Sequence, residues 1–91
     1  MEMEIQSSRS LKTKRRVVKS ISDRIKNRFN VSIAEVGANN VWNLATIGVV
    51  CVSNDKSRSN EILSNVVNQI QFMNMPIILL DFSTEIISGT W

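Results

Sequence analysis

The sequence predicts an α+β fold, with two helices interleaved among four short strands in the order β-α-β-β-α-β. Two observations carry this. Apolar residues recur at helical spacing in two stretches, 11–29 and 59–73. Short runs rich in β-branched residues, at 31–36, 45–52 and 77–82, lie around them, and a Gly/Asn turn joins the second strand to the third. That order is the split βαβ arrangement called ferredoxin-like: a four-stranded antiparallel sheet with both helices on one face. The whole chain, 1–91, is expected to form one such domain, with no linker, low-complexity segment or repeat beyond its two βαβ halves.

Each element has its own signal. Residues 1–5 alternate Met, Glu, Met, Glu, Ile, the period of a half-buried strand, and the strand is short. Ser7, Ser8, Arg9 and Ser10 break it, and Ser10 suits the N-cap of a helix. At about 100° per residue, Leu11, Val18, Ile21, Ile25 and Phe29 share one arc of a helix over 11–28, with Val17 at its edge. Lys12, Arg15, Arg16, Lys19 and Lys26 take the opposite arc. Lys14 is out of pattern, because it projects on the apolar side. It is expected either to snorkel past the sheet edge or to pair with a carboxylate, Glu4 and Glu35 being the candidates.

Asn30 stops that helix, and 31–36 reads as the second strand. Gly37-Ala38-Asn39-Asn40 is turn chemistry. The third strand, from 44 or 45 to 52, is apolar on both faces. A polar break at 53–57 offers several N-caps. Ile62, Leu63, Val66, Ile70 and Met73 then mark a second amphipathic helix over 59–73. Asn74-Met75-Pro76 ends it, and a fourth strand is expected over 77–82, extending to 87, before a tail at 88–91.

Composition narrows the chemistry. A chain this small buries roughly two-thirds of its unfolded surface, enough for one core. No apolar run approaches the ~20 residues of a membrane-spanning helix. The acidic start, Met1-Glu2-Met3-Glu4, lacks the basic and apolar regions of a signal peptide, so a cytoplasmic location is expected. The lone Cys51 excludes an intramolecular disulfide and a thiolate zinc cluster, and the absence of histidine excludes imidazole triads. Neither a cofactor nor a metal is expected. Cys51, between valines and with no histidine to activate it, reads as a small buried hydrophobe. Trp42, beside a turn, reads as a core lid or a dimer contact.

The charge is segregated. Nine of the eleven basic residues and a single acid, Asp23, lie between Arg9 and Arg28, so that span carries +8. The rest, with two basic residues against seven acidic ones, carries −5. Such a dipole is a statement about partners rather than fold.

The run Arg9-Ser10-Leu11-Lys12-Thr13-Lys14-Arg15-Arg16-Val17-Val18-Lys19-Ser20, followed by Asn27-Arg28-Phe29-Asn30-Val31-Ser32-Ile33-Ala34-Glu35-Val36-Gly37, resembles the YlxP-like family of small bacterial proteins. Trp42 and the stretch from Gly48 to Asp55 fit as well. The resemblance is specific over 10–55 and pattern-level beyond. It implies a ferredoxin-like fold and no established catalytic activity. Family members are often encoded among translation and ribosome-maturation genes, which implies an association with RNA or the ribosome. The family usually has a longer first strand, often with a proline where this chain has Gln6 or Ser7, so the first strand here is expected to be short or truncated.

The leading expectation is a non-enzymatic module that binds structured RNA or a ribosomal surface. Lys12, Arg15, Arg16, Lys19 and Lys26 would supply backbone contacts, with Arg9, Ser10 and Lys14 nearby. Aromatic residues are 5% of the chain and tyrosine is absent, so the base-stacking sheet of an RNA-recognition motif is not available. The alternative is a homo-oligomeric regulatory or structural domain that binds a small anion at the N-terminus of the first helix, through Ser8, Arg9, Ser10 and Lys12. Without a glycine-rich loop this is not a nucleotide P-loop. A homodimer or higher homo-oligomer is expected to share the sheet face opposite the helices, including Val50 and Val52, or the edge of the short first strand.

Overall fold

The computed structural model describes residues 1–6, 9–37 and 40–87. Their elements run β1 (Glu2–Ile5), α1 (Leu11–Arg28), β2 (Ser32–Glu35), β3 (Leu44–Val50), α2 (Lys56–Gln71) and β4 (Ile77–Asp81). The strands form one antiparallel sheet in the order β2-β3-β1-β4, with the two helices packed on it. This is the ferredoxin-like α+β arrangement that the element order predicts.

The strand alternation decides which residues meet the helices. Met3 and Ile5 point inward from β1, Ile33 from β2, and Ala45 and Ile47 from β3; all are buried. Val18, Ile21 and Ile25 of α1 and Val66 and Ile70 of α2 close over them. These residues form one core, and its largest members, Met3, Ile5, Ile21 and Ile25, are almost wholly removed from water. Burial on this scale is worth about 1.5–3 kcal/mol per large aliphatic side chain. Leu11, Val17 and Phe29 of the same helix arc are half-buried at its margin.

Four details differ from expectation. The second helix starts three residues early, at Lys56, because the Asp55 carboxylate accepts the Ser57 N–H at 2.9 Å and caps it. It ends at Gln71, which leaves Met73 beyond its last turn. The third strand ends at Val50, so Cys51 is half-buried at its margin and Val52 is 91% exposed. The fourth strand ends at Asp81, and 82–87 joins no ladder.

β1 is short, as expected, yet it is not an edge. It pairs β3 from Glu2↔Thr46 to Glu4↔Leu44 and β4 from Glu2↔Asp81 to Ile5↔Ile77. Both sides of β1 are occupied, and the edge that its shortness leaves unpaired is its neighbour's, on β3 between Ile47 and Val50. A register shift between Glu2 and Met3 leaves Leu80 as an extra residue on β4, where it is 52% exposed.

The face of the sheet away from the helices is open. Its apolar residues include Val50 and Ile78, both exposed, but Glu2 and Glu4 stand between them on the central strand. Gly37 turns the chain after β2 with φ of 79°, a conformation that favours glycine. Ala38 and Asn39 of that turn, Ser7 and Ser8, and the tail at 88–91 lie outside the described residues.

Candidate nucleic-acid interface on the first helix

α1 has one face in the core and one in solvent. Core packing of Val18, Ile21 and Ile25 fixes its rotation about its own axis. The rest is dictated by helical geometry: Lys12, Arg15, Arg16, Lys19 and Lys26, together with Arg24 and Arg28, all face solvent. Asp23 is the one acid within the helix, and it is engaged by Lys19 at 2.9 Å, one turn away. The other exposed cations of the helix have no acidic neighbour within it.

This pattern works against the helix that carries it. Lys12–Arg16 and Arg15–Lys19 are like-charge pairs at i,i+4, each unfavourable by about 0.2–0.5 kcal/mol. The first turn holds no acidic residue, while Lys12 stands near the positive end of the helix dipole. Only Lys26 and Arg28, in the last turn, complement the dipole. A sequence selected for helix stability alone would intersperse glutamates here.

The N-terminus of α1 is conventionally capped. The Thr13 N–H donates to Ser10 Oγ at 3.1 Å, and the two hydroxyls lie 3.1 Å apart. The Ser10 hydroxyl is thus engaged in the cap, while Arg9 and Lys12 stand exposed beside it. Ser10→Ala is expected to lower stability by about 1 kcal/mol, measured by urea unfolding.

Lys14 separates from the other candidate residues. It is 2% exposed, and its Nζ lies 3.0 Å from Glu35 Oε2 and donates to the Val41 carbonyl at 3.1 Å. Of the two candidate partners, Glu35 is the one engaged, because β2 lies under α1 at the sheet edge whereas Glu4 points to the opposite face. The ion pair with Glu35 and the bond to Val41 tie α1 to β2 and to the loop entering β3, so Lys14 is a structural cation withdrawn from the solvent face that carries the others.

Residues 1–83 match the model of a protein family described as "Protein of unknown function (DUF503)". The chain belongs to the DUF503 family. A curated relative, the "Uncharacterized protein YlxP" of Bacillus subtilis (strain 168), is 40% identical over 57 residues. That alignment covers 63% of this chain and 62% of the relative, less than two-thirds of its length.

For this DUF503 chain the structure brings together Arg9, Lys12, Arg15, Arg16, Lys19 and Lys26 as one exposed basic strip and withdraws Lys14 from it. Arg24 and Arg28 are additional exposed cations of the helix that the arc of apolar residues did not single out. No aromatic residue lies on either central strand, β1 or β3. Among the described residues no group of three or more Cys, Asp or Glu side chains is placed to hold a metal ion. No described helix is long and apolar enough to cross a membrane.

Proposed function

We propose that this chain is a non-enzymatic binding module that contacts the phosphate backbone of structured RNA, on the ribosome or a ribosomal precursor, through the exposed face of α1. The observation that supports the reading is the strip of exposed cations, arranged at a cost to the helix and nearly free of acidic partners. Lys12, Arg15, Arg16, Lys19 and Lys26 neutralise phosphates and release counterions. With no stacking aromatics on the central strands, recognition rests on backbone and shape, with little reading of base sequence. Filter binding to ribosomal RNA fragments at ~50 mM salt tests this; retained complex is expected, and no retention rejects it.

A second reading, a homo-oligomer sharing the open sheet face, is favoured by the exposure of Val50 (63%) and Ile78 (43%) there. Glu2 and Glu4 in the same face oppose it, since a two-fold contact sets like residues against each other. Under this reading Val50→Lys yields monomers with the fold intact. Light scattering that gives a 10.3 kDa species for the unmodified chain at ~100 μM rejects it.

A further inference from the structure

Each helix ends on a phenylalanine. Phe29 caps α1, its N–H donating to the Ile25 carbonyl at 2.8 Å, and Phe72 caps α2, its N–H donating to the Asn68 carbonyl at 3.1 Å. Phe29 is half-buried at the margin of the core, whereas Phe72 is 81% exposed. Both line one cleft of about 450 Å³ between the helices, a size that suits a small ligand. Its other walls are Arg28 of α1 and Asn65, Asn68 and Gln69 of α2. Asn65, Asn68, Gln69 and Phe72 are spaced i, i+3, i+4 and i+7, so they share one helix face, beside the face on which Val66 and Ile70 enter the core. Asn65 and Asn68 are exposed and Gln69 is half-buried, so the cleft is lined with amide donors and acceptors. Residues 62–80 include no charged side chain, and among the described residues Arg28 is the one charge lining the cleft.

We propose, resting on the RNA contact of α1, that this cleft takes one unpaired nucleobase of that RNA, stacked on Phe72 and hydrogen-bonded along its edge by the amides of α2. Position supports this. Arg28 is the last residue of α1, so the cleft lies where the cation-bearing helix ends. Chemistry selects the occupant. An exposed aromatic face is covered by stacking, which every base supplies. Asparagine and glutamine amides each donate and accept, and so match the mixed donors and acceptors on the edge of an unpaired base. An apolar peptide would leave the three amides and Arg28 without partners. A free phosphate would leave Phe72 uncovered. A second copy seated by a two-fold axis would set Arg28 against Arg28. The stacking aromatic absent from the central strands thus stands on the helix side of the molecule, the side that carries the basic strip.

The test uses an RNA duplex carrying one bulged 2-aminopurine nucleotide and the same duplex without the bulge, each titrated with the whole chain at ~50 mM salt. The bulged duplex is expected to bind about tenfold more tightly, with its 2-aminopurine emission quenched by stacking. Phe72→Ala is expected to abolish both the preference and the quenching, and Phe72→Trp to retain both. The side chain is exposed, so neither substitution disturbs the core. If the plain duplex binds but the bulge adds no affinity, if the emission does not change, or if Phe72→Ala keeps the preference, the base site is overturned while the phosphate contact of α1 stands. An equal loss of both duplexes in Phe72→Ala overturns it as well. Failure of either duplex to bind the unmodified chain rejects the RNA reading and the base site with it.

Discussion

Lys14→Ala is expected to destabilise the fold by about 3 kcal/mol, read from the midpoint of urea or thermal unfolding. The ammonium is 2% exposed and engages both Glu35 and the Val41 carbonyl, so its loss leaves the Glu35 carboxylate on β2 without its cation, while the Val41 carbonyl keeps the Leu44 N–H at 3.3 Å. Glu35 is 26% exposed and regains some water, which keeps the cost at the low end for a broken buried pair. For a chain of this size that is a large part of the total stability. The double variant Lys14→Met/Glu35→Leu discriminates the cause. With both charges replaced by apolar groups of similar volume, stability is expected to return to within about 1 kcal/mol of the unmodified chain. A double variant as unstable as Lys14→Ala shows instead that packing of the lysine stem, and not the ion pair, is what the site requires.

The second large effect concerns binding. Arg15→Glu/Arg16→Glu/Lys19→Glu is expected to lower affinity for ribosomal RNA by about 100-fold or more at ~50 mM salt, since three contacts become repulsions. The fold is expected to persist, because all three side chains are exposed. Lys19 loses only a surface pair with Asp23, worth less than about 1 kcal/mol. Unfolding midpoints within a few degrees of the unmodified chain verify that the loss lies in the interface. Arg58→Glu, on α2 and away from the strip, serves as the charge control and is expected to change affinity by less than about threefold.

The elements of this fold are legible where packing and local pattern agree. The α1 periodicity singles out Val18, Ile21 and Ile25, and these are the residues the core buries. The same projection marks Lys14 as out of place, and the structure accounts for it with Glu35. α2 is less legible at its start because the first turn, Lys56-Ser57-Arg58-Ser59, contains no apolar residue; only the Asp55 cap marks it. The end of β4 is not local information at all. Residues 82–87 continue with strand-like composition, yet the pairing of β4 with β1 ends at Glu2↔Asp81 and they join no ladder. The openness of the sheet face is similarly divided. Alternation in residues 1–5 shows that Glu2 and Glu4 share a face, whereas only the strand order places that acidic pair at the centre of the sheet, between Val50 and Ile78.

The basic strip is legible as charge but not as geometry. Counting residues gives +8 over 9–28, Lys14 included. Burial removes Lys14 and leaves the rest on one exposed helix face, and it is this distribution that the proposed RNA contact rests on.

The most direct test of that contact is the salt dependence of binding to ribosomal RNA between about 50 and 200 mM. Five phosphate contacts from Lys12, Arg15, Arg16, Lys19 and Lys26 predict a slope of about −4 in log affinity against log salt, and each cation removed singly is expected to reduce the slope by about 1. Affinity that does not change with salt, or a slope that the loss of these residues leaves unaltered, would contradict the proposed role of α1.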